Sequence, residues 1–212
     1  MKTILFDLDG TLIDSTEAIL ESFDVSFKHF GMTTPSDDEI TSLVGHPLDI
    51  MYEMLGIDRQ DVQSIVDVYK RHYRQISNQK TTLLPFAKES LEFSKQFATL
   101  GVVTTKTKRF SIELLEYMGI LDYFSVIIGR EDVQNPKPHA EPILKAISIL
   151  KADTEKTWMI GDTPMDIISA KSAGVSSFGV TCGYATMQEL KKYTTNIALN
   201  SLEATQKIKL VL

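Results

Sequence analysis

The chain has 212 residues, 43% apolar and 24% charged, an ordinary soluble globular profile with room for one sizeable core and a smaller module. Lys and Arg number 22 against 28 Asp and Glu, a formal charge of −6, which argues against binding nucleic acid or a membrane surface but not against a small anionic substrate. The single cysteine, Cys182, excludes an intrachain disulfide and a cysteine-based zinc site, and no apolar run approaches the ~18 residues of a membrane span. The start, with one Lys and a short apolar run before Asp7, does not read as a signal peptide, so a cytoplasmic location is expected. No obligatory protein partner is evident.

Thr3-Ile4-Leu5-Phe6 is a β-prone run that predicts a buried strand, and Asp7-Leu8-Asp9-Gly10-Thr11 follows it. Two carboxylates thus leave the strand end two residues apart, and alternation puts both on one side of the chain. Like charges that close are costly without a cation, and Mg2+, a hard ion that takes oxygen ligands, is the natural partner. Gly10 permits a sharp turn with the backbone near a ligand, and Thr11 offers a hydroxyl and a backbone N–H to an anion. An exposed Asp-rich turn capping the next helix is the other reading of these residues in isolation.

From about Thr16 to Gln79 the pattern is helical, with no convincing strand. Ile19, Phe23, Phe27 and Phe30 recur at helical spacing, Gly31 stops that helix, and Thr33-Thr34-Pro35-Ser36-Asp37-Asp38 is a turn with a cap for the next one. Val62, Ile65, Val66, Tyr69, Tyr73 and Ile76 mark a long amphipathic helix. His29 and His72 lie among polar residues on these helices and are expected to be solvated.

Pro85 restarts the chain, and the pattern changes. Val102-Val103-Thr104, Val126-Ile127-Ile128, Trp158-Met159-Ile160 and Phe178-Gly179-Val180 are short apolar runs. Helical patterns lie between them, such as Phe110, Leu114, Leu115, Met118 and then Ile143, Leu144, Ile147, Leu150. Such alternation implies an α/β fold: a Rossmann-like parallel sheet with helices on both faces. The expected division is an α/β core over 1–15 and 83–212, with an inserted all-α cap over 16–82. Ligands of such sheets sit at the carboxyl ends of the strands, where Asp7 and Asp9 emerge.

Three further signals fall at strand ends. Thr104-Thr105-Lys106 puts hydroxyls where they either cap a helix or donate to an anion. Asn135-Pro136-Lys137-Pro138 presents Lys137 on a backbone stiffened by prolines, as a point charge suited to phosphate. Gly161-Asp162-Thr163-Pro164-Met165-Asp166 supplies a second acidic pair after a buried run, although Asp166 also reads as a carboxylate favoured by a helix N-terminus. Acids from two strands to hold Mg2+, a lysine and a threonine for an anion, and an aspartate free to attack make a phosphoryl-transfer site.

This ordered set resembles the haloacid dehalogenase superfamily, in its phosphatase branch with a helical cap, over nearly the whole chain. The resemblance rests on Asp7-Leu8-Asp9-Gly10-Thr11-Leu12-Ile13-Asp14-Ser15, then Thr104, Lys137, and Gly161 to Asp166. It implies that Asp7 is the nucleophile and Asp9 the general acid and base. It implies Mg2+ ligation by Asp7, the Asp9 carbonyl and Asp162. Thr104 and Lys137 would neutralise the transferring phosphoryl group, Asp166 would support Lys137 or a metal-bound water, and Gly10, Thr11 and Thr105 would contact substrate.

Asp9, two residues after the nucleophile, disfavours the dehalogenase and phosphonatase branches. β-Phosphoglucomutase-like mutases carry a cap histidine at the position of Ile19, so the mutase remains the alternative. Phosphoglycolate phosphatase-like enzymes and their inorganic pyrophosphatase relatives match better. In that branch Leu43-Val44-Gly45-His46-Pro47-Leu48 resembles a substrate-facing loop, with Gly45 allowing close approach and His46 reaching a substrate's polar tail; a plain connecting turn is its other reading. Arg130, Glu131 and His139 are expected near the pocket rim or on the surface. The expected partner is therefore a small phosphorylated metabolite. A phosphorelay receiver needs about half this length, and a catalytically silent binding module on this fold would be expected to have lost a motif acid; none is lost here.

Overall fold

A computed structural model describes residues 1–211. The elements in chain order begin with β1 (Lys2–Phe6), β2 (Ile13–Asp14), α1 (Thr16–His29), α2 (Asp37–Thr41), α3 (Leu48–Met54), α4 (Val62–Ile76) and β3 (Thr82–Leu83). They continue through α5 (Ala87–Ser94), β4 (Ala98–Val103), α6 (Lys108–Tyr117), β5 (Val126–Ile128), α7 (Glu141–Leu150) and β6 (Thr157–Gly161). The last are α8 (Pro164–Ser172), β7 (Ser176–Val180), α9 (Met187–Leu190), β8 (Ile197–Ala198) and α10 (Ser201–Leu210).

Six strands form one parallel sheet in the order β5-β4-β1-β6-β7-β8. β1 lies in the middle, and its alternation serves two layers. Ile4 and Phe6 face one side, where Leu91 of α5, Leu114 of α6 and Ile208 of α10 pack; Leu5 faces the other, with Ile143 and Ala146 of α7 and Ala170 of α8. A strand covered on both faces reads as an unbroken apolar run, as this one does. All the strands point the same way, so their carboxyl ends gather along one edge.

The four helices α1–α4 are built round a separate apolar cluster: Phe23 and Phe27 of α1, Tyr52 of α3 and Tyr69 of α4. Phe23 lies 4.7 Å from Tyr52 and 5.2 Å from Tyr69, ring centre to ring centre. Phe110 of α6 joins this cluster from the sheet side. Ser36 caps α2 through a capping box with Glu39, and Gly31, at φ +67°, follows the end of α1. The chain leaves for these helices and returns from them through a two-stranded antiparallel ribbon, in which Ile13 pairs with Leu83 and Asp14 with Thr82. Strands of two residues carry no periodicity, so the sequence pattern did not reveal this ribbon.

Three expectations need correction. Phe30 ends α1 as its cap and is 42% exposed, because the helix stops before a further turn brings it back to the core. Leu144 belongs to α7 but points outward, since Ile143 and Ile147 already fill the face toward the sheet. His72 is not merely solvated: it lies half-buried, 3.0 Å from Glu21, whose carboxylate also takes Lys80 and is held below the usual range chiefly by that Lys80 bond.

Candidate active site

The sheet register decides which loops meet. Phe6 is level with Val102 on one neighbour and Ile160 on the other, and Asp7 N–H donates to the Ile160 carbonyl at 2.9 Å. The residues that follow these three strands therefore share one small volume.

Asp7 is 3% exposed, Lys137 2%, and Asp162 and Asp166 are fully buried. Lys137 Nζ lies 3.0 Å from Asp7 Oδ1 and donates to Asp166 Oδ1 at 2.5 Å. Thr163, which caps α8, donates to Asp166 Oδ2 from its backbone N–H at 3.1 Å and from its hydroxyl at 2.9 Å. Asp162 accepts from the Thr11 hydroxyl at 2.9 Å and from the Tyr184 N–H at 2.9 Å. Asp166 thus accepts from Lys137, and its own place is set by the helix cap.

The same contacts fix Thr11 and Gly10. Thr11 is fully buried, its hydroxyl is committed to Asp162, and its N–H donates to Leu8. Both of its donors are engaged within the chain, and its hydroxyl fixes Asp162. Gly10 also spends its N–H, on the Ile13 carbonyl. Its contribution is space: at φ +80°, a Cβ there would stand 2.2 Å from Asp162 Oδ2.

Asp9 departs from the alternation argument. Its carboxylate accepts from the Ser15 hydroxyl and lies 3.2 Å from Lys106 Nζ, apart from the Asp7, Asp162 and Asp166 cluster. The strand ends at Phe6, so the period of two stops applying before Asp9. Lys106 in turn donates to the Tyr73 hydroxyl at 2.9 Å and sits 4.5 Å from the centre of its ring. Burial opposes the charge of Lys106, yet Asp9 and Tyr73 outweigh it and hold its pKa above the ordinary value. Neither Lys106 nor Tyr73 was picked out from the sequence. Lys106 stood in view two residues after Thr104, but its partner comes from α4, and no local pattern links them. Tyr184 acts at Asp162 through a backbone N–H, which leaves no sequence signal.

Thr104 is buried, and its hydroxyl oxygen accepts the Lys106 N–H at 3.1 Å. Thr105, Gly45 and His46 line one cavity together with Asp9, and Arg130 and Glu131 line it as well. Gly45, at φ +108°, packs on Thr163, where a Cβ would meet the side chain at 3.0 Å. The loop after α2 therefore touches the same residue that caps α8. His46 is half-buried, and desolvation lowers its pKa. Arg130 lies 3.8 Å from Asp49 of α3. His139 is exposed, and its ring nitrogen accepts the Glu141 N–H.

Burial pushes the Asp7 pKa up to about 7, against the pull of Lys137, and Asp166 and Asp9 add to the rise. Asp162 is raised well above the usual carboxylate range, first by burial and then by Asp166 and Asp7. Burial works against the charge of Lys137, but Asp166 and Asp7 more than offset it and raise its pKa. The cluster is short of positive charge. Carboxylate oxygens of Asp7, Asp162 and Asp166 lie within 4.8 Å of one another with one lysine among them. Asp7 Oδ1 is buried and has only the Lys137 ammonium beside it, at 3.0 Å, which it shares with Asp166. An all-oxygen donor set and an excess of buried negative charge fit a hard divalent cation.

The family model for haloacid dehalogenase-like hydrolases matches residues 4–180. The pyrophosphatase PpaX of Oceanobacillus iheyensis is 32% identical over 204 residues, covering 96% of this chain and 94% of the relative. The phosphoglycolate phosphatase of Salmonella paratyphi A is 31% identical over 208 residues, covering 87% of this chain and 82% of the relative. Among solved structures, a haloacid dehalogenase-like family hydrolase from Streptococcus pneumoniae superposes with a TM-score of 0.88 at 27% identity, covering 98% of each chain.

Proposed function

The chain belongs to the haloacid dehalogenase-like hydrolases, and on that premise we propose that it is a Mg2+-dependent phosphatase acting on a small phosphate monoester through an aspartyl-phosphate on Asp7. The observation that carries this reading is the buried cluster of Asp7, Asp162 and Asp166, three carboxylates gathered round the single cation Lys137.

Asp7, the Asp9 carbonyl and Asp162 would hold the ion, which supplies positive charge to the phosphoryl oxygens. The chain's own groups do the rest. An Asp7 oxygen attacks phosphorus, the bond to the leaving oxygen breaks, and the Asp9 carboxyl gives that oxygen its proton. Water then attacks phosphorus, its proton passes to Asp9, and the Asp7–phosphorus bond breaks. Ser15 and Lys106 hold the Asp9 carboxylate where this exchange can occur. Lys137 and Thr104 balance charge that spreads over the phosphoryl oxygens.

The 16–82 segment, taken as the cap, would govern selection. Ile19 places hydrocarbon on the cavity wall where the mutase alternative calls for a histidine, which favours hydrolysis. The relatives' names make phosphoglycolate and pyrophosphate the first substrates to test. The decisive experiment is turnover of a generic aryl phosphate with and without Mg2+, for the protein and for Asp7→Asn. Turnover is expected only with the metal, and the variant is expected to lose at least about 10⁴-fold. Near-normal activity in Asp7→Asn would dismiss the covalent route.

A further inference from the structure

The loop that follows β7 reaches back over the strand ends to Asp162. Its backbone lies directly on the carboxylate. The Tyr184 N–H donates to Asp162 Oδ2 at 2.9 Å, and a Cβ on Gly183 would stand 2.1 Å from the same oxygen. The Tyr184 ring covers Gly10, where a Cβ would meet Tyr184 Cδ2 at 2.8 Å. The far end of the ring stands at α1. The hydroxyls of Tyr184 and Thr16 share a hydrogen bond of 3.1 Å, in which either can donate, and Thr16 is the first residue of that helix. One residue thus holds Asp162 with its backbone and the start of α1 with its side chain. Lys106 links the helices to Asp9. Tyr184 links them to Asp162.

The placement of Asp162 is set from both sides, since Oδ1 accepts from Thr11 and Oδ2 from Tyr184. Mg2+ demands near-ideal octahedral geometry, so a carboxylate that serves it must be held still by its neighbours. Losing such a neighbour typically weakens metal binding about 10–100-fold. A hydrogen bond at the far end of the ring anchors the loop that supplies this N–H, and a slack anchor weakens the hold by a smaller factor.

We propose that Tyr184 is a positioning residue that couples Asp162, and through it the metal site, to the first turn of α1, where the chain enters the helical segment. The inference rests on the phosphatase reading above, which makes Asp162 a metal ligand, and adds a residue to it. Such coupling is reciprocal: what the bond to Thr16 does for metal affinity, the metal does for the start of α1.

The test is calorimetric titration of the intact protein with Mg2+ alone. Tyr184→Phe removes one hydroxyl and leaves the ring and the backbone N–H in place. Thr16→Val removes the partner hydroxyl and keeps the branched shape. Each should weaken Mg2+ binding by about fivefold. The double variant should fall no further than either single one, because both remove the same bond; general loosening of the fold would instead multiply the two losses. Amide hydrogen exchange reads the coupling in the other direction. The Ile19 N–H closes the first turn of α1 on the Ser15 carbonyl. Mg2+ should slow its exchange in the unaltered protein and not in Tyr184→Phe. Unchanged affinity in both single variants, losses that multiply in the double variant, or exchange at Ile19 that Mg2+ slows equally or not at all in protein and variant would overturn the inference and leave the phosphatase reading intact. No Mg2+ binding by the unaltered protein would instead defeat the metal-dependent reading itself, and the inference with it.

Discussion

The strand ends and the helical segment above them are both buried, but they bury opposite chemistries. At the strand ends carboxylates and a lysine lie out of water, Asp162 and Asp166 held by hydrogen-bond donors and Asp7 by the Lys137 ion pair, with three carboxylates against one cation. In the helices the buried polar atoms are few, and aromatic rings fill the space. Backbone hydrogen bonding of a parallel sheet sets loop positions tightly, which suits groups that must hold sub-ångström geometry. A cluster of side chains on helices tolerates change in shape at smaller cost, which suits selection among ligands. On the proposed function, chemistry and choice would be separated in the molecule, and Lys106, in contact with both Asp9 and Tyr73, joins the two regions.

That contrast can be broken from the strand ends outward. Asp9→Asn should slow turnover by about 10²–10⁴-fold, since it removes the proton donor, while apparent Mg2+ affinity stays near normal because the proposed ligand there is a backbone carbonyl. A large loss of metal affinity on titration would make the Asp9 side chain a ligand.

Asp162→Ala should act the other way. It removes one of few protein oxygens for the ion, and apparent Mg2+ affinity should fall on the order of 100-fold, with activity partly restored at high metal. Unchanged metal dependence would make Asp162 a structural acid held by Thr11.

The bridge comes next in size. Lys106→Met keeps the length of the side chain and removes its charge, leaving Asp9 to Ser15 alone and Tyr73 without its donor. A loss of about tenfold in kcat is expected, with KM for a small generic phosphate little changed. A rise in KM with kcat preserved would mean that Lys106 touches substrate and does not position Asp9.

His46→Ala should show the smallest effect on a generic phosphate and the clearest effect on ranking. His46 lines the cavity from the loop after α2 and is not one of the three clustered carboxylates. Measured over a panel of small and large monoesters, the order of kcat/KM should shift by several-fold. An equal proportional loss for every substrate would show that the loop supports closure or folding and does not choose the ligand.

The amino-acid sequence by itself determined the alternation of apolar runs and helical patterns, the parallel sheet, and the positions of Asp7, Thr104, Lys137 and Asp162 just beyond buried strands. These are local facts: periodicity and the ends of apolar runs are written in neighbouring residues. Tertiary structure alone decided which of those groups meet. It gathered Asp166 with Asp7 and Asp162, turned Asp9 toward Ser15 and Lys106, committed both donors of Thr11, and set Phe110 against the tyrosines of α4. Each of those outcomes depends on where the chain turns after a strand stops and on partners far away in sequence, such as Thr11 with Asp162 or Lys106 with Tyr73. Side-chain direction beyond the last ladder hydrogen bond follows from packing, and packing is a property of the whole fold.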